Sequence, residues 1–227
     1  NTLYSTKLVK DTPMSLKIDT FVTGPLEVNT YVLRSAGAVA VVDPGSMGED
    51  RLIAFLTAEN LDVSQIWLTH GHGDHISGVG LVKSRYPEAR LFCPTGDIPM
   101  LSDATKNLSS WYMVEITSPP ADVVLEPGHT LTLGDTEWAV LDTSGHTAGG
   151  MSFYCTAESV VLTGDALFAS SIGKTDIPGG DMEQLLGNIH ANLMSLPDET
   201  RVLPGHMDAT TIGQERNRNV FLRKPAP

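Results

Sequence analysis

The sequence predicts a mixed α/β (α+β) chain in which two β-sheets pack together and helices cover their outer faces. Two observations lead to this prediction. The chain has 227 residues, of which 41% are hydrophobic and 19% charged, as in ordinary globular proteins. In each half, several strand-like segments precede a helix-like segment, as expected for layered sheets and helices. We expect one domain over residues 1–227, with its core at 16–207 and a C-terminal helix or tail at 208–227.

The first segments of the chain are predicted to be strands. Alternating apolar residues predict a strand at residues 16–22, and β-rich segments after a Gly-Pro turn predict strands at 29–33 and 39–42. The sequence Asp-Pro-Gly-Ser at 43–46 ends the third strand. Apolar residues at helical spacing, with acidic residues in the first turn, predict a helix at 49–59.

A histidine-rich segment follows the next predicted strand. The apolar strand at residues 65–69 runs directly into His-Gly-His-Gly-Asp-His at 70–75. A helical pattern then covers residues 76–86 and ends at a proline. Further strands are expected at 90–92, 130–133, 137–141, 151–155, 160–162 and 201–203. A polar helical stretch is expected at 96–107 and a helix at 181–194.

The histidine-rich segment predicts a metal site. His70, His72, Asp74 and His75 fall within six residues, and neither a strand nor a helix requires such a cluster. In an extended loop His70 and His72 project to the same side, because side-chain direction alternates along the chain. Neutral imidazole binds zinc, iron and manganese, and a carboxylate can bridge two cations. We therefore expect metal at the carboxyl end of this strand.

Three more candidate ligands occur singly along the chain. His146, Asp165 and His206 each follow an apolar strand and lie beside a glycine, which lets the backbone turn sharply. Taken alone, an Asp such as Asp165 is usually a turn residue or a helix cap, and only its place in the ordered pattern favours a ligand. The other two histidines fit no ligand pattern. We expect His129 to lie in a solvated turn and His190 to be packed or exposed on a helix.

The four motifs together resemble one family. Thr-His-x-His-x-Asp-His, Gly-His-Thr, Thr-Gly-Asp and Pro-Gly-His, in this order, resemble the metallo-β-lactamase superfamily over nearly the whole chain. The resemblance implies a four-layer αββα sandwich and two divalent metal ions, expected to be Zn²⁺, with iron or manganese as alternatives. It also implies one metal on His70, His72 and His146, a second on Asp74, His75 and His206, and Asp165 bridging the two.

The implied metal pair predicts a hydrolase. Two adjacent cations lower the pKa of a shared water toward ~7, which supplies hydroxide at neutral pH. We expect this hydroxide to attack a substrate carbonyl while one metal stabilises the oxyanion. Asp74 is the expected catalytic residue, because its carboxylate can orient the hydroxide and help to move its proton.

Two segments resemble the glyoxalase II (hydroxyacylglutathione hydrolase) group more narrowly, at residues 163–176 and 210–222. This resemblance implies hydrolysis of glutathione thioesters such as S-lactoylglutathione to a hydroxy acid and a thiol. It places Lys174 near the glutathione carboxylate, where a cation suits an anionic ligand. A solvated surface lysine is the plain alternative for this residue.

The C-terminus departs from glyoxalase II. Full-length members carry a helical domain that grips glutathione, whereas 21 residues follow His206 here, so we expect no separate glutathione-binding domain. A basic tail helix is the expected substitute, although such helix-end charges are more often simply solvated. Its residues are Arg216, Arg218, Arg223 and Lys224.

Alternative functions stay open at this level. A persulfide dioxygenase with one iron resembles the chain around residues 164–176. A metallohydrolase acting on another ester or on a lactone, or a non-catalytic metal-binding protein, would share the same ligands. True β-lactamase activity is disfavoured, because the resembling lactamases place a cysteine or no ligand at the position of Asp165.

Net charge bears on the expected partners, and cysteine content on the expected location. The net charge of −12 would repel nucleic acid and anionic membranes, so the expected partner is a small thioester, with an open oligomeric state. Cys93 and Cys155 lie in apolar strands and are expected to be buried free thiols, which suits a cytoplasmic location. No apolar stretch predicts a membrane span or a signal peptide, but the chain does not begin with Met, so an N-terminal segment that was removed stays possible.

Overall fold

A computed structural model describes residues 16–45 and 51–223. Within these residues the first half of the chain forms one six-stranded sheet, the N-terminal sheet. The first three strands are antiparallel and the last three extend the sheet in parallel. In both spatial and sequence order they are β1 (Lys17–Thr23), β2 (Val28–Ser35), β3 (Ala38–Val42), β4 (Gln65–Trp67), β5 (Arg90–Pro94) and β6 (Val123–Leu125).

The second half of the chain forms the C-terminal sheet. Its strands and those of a small hairpin are β7 (Thr130–Leu133), β8 (Thr136–Asp142), β9 (Met151–Cys155), β10 (Val160–Gly164), β11 (Leu167–Phe168), β12 (Ser171–Ile172), β13 (Arg201–Pro204) and β14 (Thr210–Thr211). The sheet order is β7-β8-β9-β10-β13-β14, with β10 and β13 parallel, and β11 pairs with β12 apart from the sheet. The strands predicted in both halves are confirmed, whereas β6, β11, β12 and β14 were not predicted.

The helices lie on the outer faces of the sheets. They are α1 (Arg51–Ala58), α2 (Gly73–Ile76), α3 (Val79–Arg85), α4 (Met182–Asn188) and α5 (Ile212–Arg218). A π-helical turn, Ile189–Leu193, extends α4, so the helix predicted at 181–194 is confirmed. The first two residues of the helix predicted at 49–59 lie outside the described residues. None of the helices in the described part of the chain is long and apolar enough to cross a membrane.

Three apolar clusters define four layers. Between the sheets, the ring of Trp67 on β4 lies 5.7 Å from those of Trp138 on β8 and Phe153 on β9, in edge contacts. Residues of α1 and α3 pack on the outer face of the N-terminal sheet, and residues of α4 and α5 pack on the outer face of the C-terminal sheet. The predicted αββα sandwich is confirmed. Cys93 and Cys155 are buried free thiols within this packing, as predicted.

The helix predicted at residues 76–86 is wrong as one continuous element. It is divided into α2, which begins inside the histidine-rich segment, and α3. The backbone N–H of Gly78 donates to the carbonyl of Pro44 at 2.7 Å and not to the preceding helical turn. This contact ends α2 and fixes it against the loop that follows β3, which a helical pattern alone does not reveal.

The polar helical stretch predicted at residues 96–107 is also wrong. A 3₁₀ turn, Thr95–Met100, contains Pro99, which has no N–H to continue a helix. The side chain of Asn107 then donates to the carbonyls of Met100 (2.9 Å) and Ile116 (2.8 Å) and folds the segment into a loop. A polar side chain has replaced the helical hydrogen bonds.

The basic tail helix is shorter than predicted. α5 contains Arg216 and Arg218, whereas Arg223 lies beyond its end and Lys224 lies outside the described residues. Arg216 pairs with Asp198 and donates to the carbonyls of Met194 (2.8 Å) and Leu196 (2.9 Å). Its guanidinium therefore holds α5 to the end of the π-helical turn.

Candidate metal centre

The first group of candidate ligands joins both halves of the chain. His70 and His72 follow β4, and His146 lies in the loop between β8 and β9. One ring nitrogen from each lies within 4.8 Å of the other two, and Nδ1 of His72 is 2.9 Å from Nε2 of His146. All three are buried, and Nε2 of His70 has no hydrogen-bond partner. Buried polar atoms are rarely unpaired, so this nitrogen suits a bound ligand.

The second group lies directly beside the first. Nε2 of His75 is 3.2 Å from Nε2 of His206, and Oδ2 of Asp74 is 3.4 Å from the same His206 nitrogen. Asp74 and His75 lie in α2, while His206 follows β13 of the C-terminal sheet. Each group thus draws ligand atoms from both halves of the chain.

Asp165 lies between the two groups. Its Oδ1 is 3.4 Å from Nε2 of His75, and its Oδ2 is 3.5 Å from Nε2 of His206 and 3.6 Å from Nε2 of His146. Oδ1 is buried without a hydrogen-bond partner. The structure therefore brings all seven sequence-predicted ligands together.

Gly205, which precedes His206, allows the His206 segment to come close to Asp165. A Cβ atom added to Gly205 would lie 2.2 Å from Oδ1 of Asp165 and 2.7 Å from Cε1 of His75. The segment that carries His206 can pass the carboxylate only without a side chain at residue 205.

Asp43, at the end of β3, supports two of the histidines. Its Oδ2 accepts from the hydroxyl of Thr69 at 2.6 Å and contacts Nδ1 of His75 at 3.1 Å. The same hydroxyl lies 3.1 Å from Nδ1 of His70. These contacts leave Nε2 of both histidines facing the centre. Sequence analysis interpreted residues 43–46 only as a strand stop, although a carboxylate directly after a buried strand was a usable signal.

Asp97 is a second buried carboxylate that sequence analysis missed. It accepts from the backbone N–H of Gly71 (2.9 Å) and of Gly149 (2.8 Å) and from the hydroxyl of Thr147 (2.7 Å). It thus holds the loop of His70 and His72 to the loop of His146. Burial raises the pKa of Asp97, although these hydrogen bonds oppose the rise.

Charge is distributed unevenly over the histidines. Burial lowers the pKa of His72 to about 3 and holds that of His70 well below its usual value, with help from neighbouring imidazoles. Burial also acts to lower the pKa of His75, but Asp165 and Asp74 outweigh it and raise the pKa to about 10. Burial opposes ionisation of Asp74, yet His75 and His206 hold its pKa below the usual value. The centre combines neutral nitrogen donors with carboxylates that attract positive charge.

A cavity of about 460 Å³ opens beside the two groups. His72, Asp74, His146 and Asp165 form part of its lining, together with Lys174. The Lys174 side chain is 66% exposed, and its Nζ lies 3.7 Å from Oδ1 of Asp176.

Lys174 also contributes through its backbone. Its carbonyl lies 2.6 Å from Nδ1 of His146, which fixes that ring with Nε2 toward the centre. His129 and His190 are both exposed and lie outside the two groups, as predicted. The described residues that line the cavity include none from the basic tail.

Comparison with known proteins identifies the family. The model of the metallo-beta-lactamase superfamily matches residues 23–206, and the chain belongs to that superfamily. A Bacillus subtilis protein named "Probable metallo-hydrolase YqgX" is 34% identical over 200 residues, which cover 88% of this chain and 94% of that protein. "Hydroxyacylglutathione hydrolase GloC" of Haemophilus influenzae is 32% identical over 184 residues, covering 81% and 86%. The chain is a metal-dependent hydrolase by family and ligand set.

Two solved structures match this chain over the full length of their own chains. The BLEG-1 B3 metallo-beta-lactamase is 37% identical with a TM-score of 0.87, and the match covers 92% of this chain and 100% of that one. TTHA1623, solved in a di-iron-bound form, is 32% identical with a TM-score of 0.81, covering 90% and 100%.

Proposed function

We propose that the chain is a binuclear metallohydrolase that cleaves thioesters of the S-lactoylglutathione type. The observation that carries the proposal is the convergence of two ligand groups on one carboxylate beside a cavity. The first cation would be held by His70, His72 and His146, the second by Asp74, His75 and His206, and both by Asp165.

The donor atoms fit metal ions. Nitrogen ligands around one tetrahedral zinc lie roughly 3.3 Å apart, because each bond is about 2.0–2.1 Å long. The pairs His72–His146 and His75–His206 are separated by 2.9 Å and 3.2 Å between ring nitrogens. The buried, unpaired Nε2 of His70 and Oδ1 of Asp165 would gain a partner. We propose zinc, with iron and manganese as the competing ions for such ligands.

Bound divalent cations would supply a water of lowered pKa and polarise a carbonyl oxygen. In the overall reaction, water adds to the thioester carbonyl carbon, the C–S bond breaks, and a carboxylic acid and a free thiol leave. Asp74 lines the cavity, where its carboxylate can orient the attacking water and help to move its proton. Asp43 and the Lys174 carbonyl hold the histidine rings in place.

Two observations support a thioester substrate. The chain is similar to a protein named hydroxyacylglutathione hydrolase over 81% of its length. Lys174 lines the cavity, so its ammonium can meet a carboxylate of the thiol carrier.

The test measures metal content and activity together. Protein loaded with zinc, iron or manganese is assayed for thiol release from S-lactoylglutathione. We expect two metals per chain and thiol release that Asp74→Ala abolishes, because this carboxylate would both help to hold the second cation and orient the attacking water. His190→Ala is the matched control, since this histidine is exposed and outside both groups. Oxygen uptake on glutathione persulfide with one iron per chain and no thiol release would instead support the dioxygenase.

β-Lactam hydrolysis is a second candidate, because the BLEG-1 B3 metallo-beta-lactamase is 37% identical. Asp165 supports the thioesterase, because a carboxylate at this motif is what the resemblance to glyoxalase II implies. Rapid hydrolysis of a chromogenic cephalosporin without thioester cleavage would reverse the order of the two candidates.

A further inference from the structure

One wall of the cavity beside the metal centre is apolar and aromatic. It is formed by the loop after β5 and by the turn between β1 and β2. The side chains of Trp111 and Tyr112 line it although they are 56% and 60% exposed. The other apolar residues on these two segments of the lining are Pro25, Leu26, Leu108, Val114 and Ile116.

The exposure of Trp111 is unusual within this chain. The chain has three tryptophans, and both Trp67 and Trp138 are completely buried between the sheets. Large aromatic side chains that stay exposed beside a cavity mark a surface that a ligand covers, because they bring much apolar area at a small entropic cost.

The part of the loop after β5 that carries Trp111 and Tyr112, the aromatic loop, is held in place by hydrogen bonds. Asn107 holds it from inside: its side chain accepts from the N–H of Ser109 at 3.0 Å and donates to two carbonyls of the loop. The Asn107 carbonyl accepts from the N–H of Gly73, at 2.8 Å, within the metal-ligand segment. Leu108 and Met113, which flank the aromatic pair, have left-handed φ angles of 65° and 56°. Strained backbone of this kind is kept where a site needs a defined shape.

The charges around the cavity do not suit a ligand that carries two carboxylates. Among the described residues of its lining, Lys174 is the one lysine or arginine, and it already lies 3.7 Å from Asp176. A glutathione carrier brings two carboxylates and one ammonium group, so this lysine can pair with one carboxylate at most. The net charge of −12 adds a general repulsion for anions.

We propose that Trp111 and Tyr112 select thioesters whose larger group is apolar or aromatic and uncharged, in preference to glutathione thioesters. This inference rests on the proposed thioesterase function and names, within it, the thiol carriers that are turned over fastest. S-lactoylglutathione, with one carboxylate paired to Lys174, is then a slower substrate of the same site. The aryl or alkyl group would lie against the aromatic wall while the thioester carbonyl reaches the metal centre.

The kinetic test varies the thiol and keeps the acyl group. Lactoyl thioesters of benzyl mercaptan, N-acetylcysteamine and glutathione are compared on the metal-loaded full chain. We expect kcat/KM to be about tenfold higher for the benzyl thioester than for S-lactoylglutathione, because the phenyl ring is buried against the wall. Trp111→Ala and Tyr112→Ala should each lower the ratio of kcat/KM for the benzyl over the N-acetylcysteamine thioester. Val220→Ala is the control, since Val220 is 63% exposed and outside the cavity lining.

A binding test needs no turnover and separates the two proposals. Trp111 is the exposed tryptophan, so its emission reports directly on the wall. We expect the neutral thioether N-acetyl-S-benzylcysteamine to change this emission at concentrations where S-methylglutathione does not. The substitution Trp111→Phe should remove that change. Equal or tighter binding of S-methylglutathione, or a benzyl preference unaffected by the aromatic variants, would overturn the inference. Thiol release from none of the three thioesters would refute the proposed function, while the emission change would still decide what the wall binds.

Discussion

The carboxylate of Asp43 orients two proposed ligands without being one of the seven. It contacts Nδ1 of His75 directly and that of His70 through the hydroxyl of Thr69. Asp43→Asn puts an amide N–H where an acceptor is needed, while asparagine still tolerates the residue's φ of 46°. We expect metal affinity to fall about 10–100-fold, measured by competition with a chromophoric chelator. Asp176→Asn, at an exposed aspartate, is the control, and an unchanged affinity would refute this role.

Asp97 should matter for stability more than for metal chemistry. Asp97→Ala leaves the donors of Gly71, Thr147 and Gly149 unpaired in the interior. Each unpaired buried donor costs roughly 1–3 kcal/mol, so we expect the free energy of unfolding to drop by about 3 kcal/mol or more. Urea denaturation measures the change. The control Asp62→Ala, at an exposed position, should change the free energy of unfolding by less than about 0.5 kcal/mol. An equally small change for Asp97→Ala would contradict the prediction.

The sequence identified residues that carry a motif and missed those that support it. All seven proposed ligands were predicted, because the histidine-rich segment has no common structural use and the four motifs occur together in one order. Asp97 gave no such signal, since Thr147 and Gly149 lie 50 and 52 residues away in the chain. Long-range partners of this kind depend on which strands become neighbours, and a single sequence does not contain that information.

At the scale of elements, β2 of the N-terminal sheet holds the segment that carries His206. The side chain of Asn29 donates to the carbonyls of Pro204 (3.0 Å) and Met207 (2.8 Å), and its backbone N–H donates to Gly205. We therefore expect Asn29→Ala to weaken the second group selectively, so that metal content falls from two ions toward one per chain. Elemental analysis after dialysis measures this ratio.

The control for Asn29 is Asn217→Ala, which removes an exposed side chain that bonds only within its own helix, to the carbonyl of Gly213. If both variants keep two metals per chain, β2 does not position His206.

Most strands were predicted because they are short apolar runs between turn residues, whereas the very short strands β6, β11, β12 and β14 were missed. Helix prediction failed where a tertiary contact competed with the helical pattern. Pro44 captures the N–H of Gly78 and divides one predicted helix, and Asn107 folds a second into a loop. The consequence is functional, because these contacts shape the metal-ligand segment and the aromatic wall.

At the scale of the whole molecule, the αββα layers were predictable and the cavity was not. The order of strands and helices indicates two sheets, and the four motifs indicate the edge where they carry ligands. The aromatic loop has no periodic pattern, so its shape follows from side-chain contacts alone. The one-domain organisation and the cytoplasmic location stay predictions from the sequence.

Because both sheets supply ligands, metal binding should stabilise the whole sandwich. His70, His72, Asp74 and His75 come from the N-terminal half, and His146, Asp165 and His206 from the C-terminal half, so cations would join the two. A ligand at 100 times its Kd stabilises the folded state by about 2.7 kcal/mol. For a chain of this size that corresponds to an increase in Tm of about 5–10 °C.

Calorimetry with and without chelator measures this increase. The double variant His146→Ala, His206→Ala, which loses one ligand from each group, should show almost no response to metal. The matched double variant His129→Ala, His190→Ala changes the same number of histidines at exposed positions and should keep the full increase. If both double variants respond alike, metal is acting elsewhere on the surface, and the two sheets are held together by their apolar core alone.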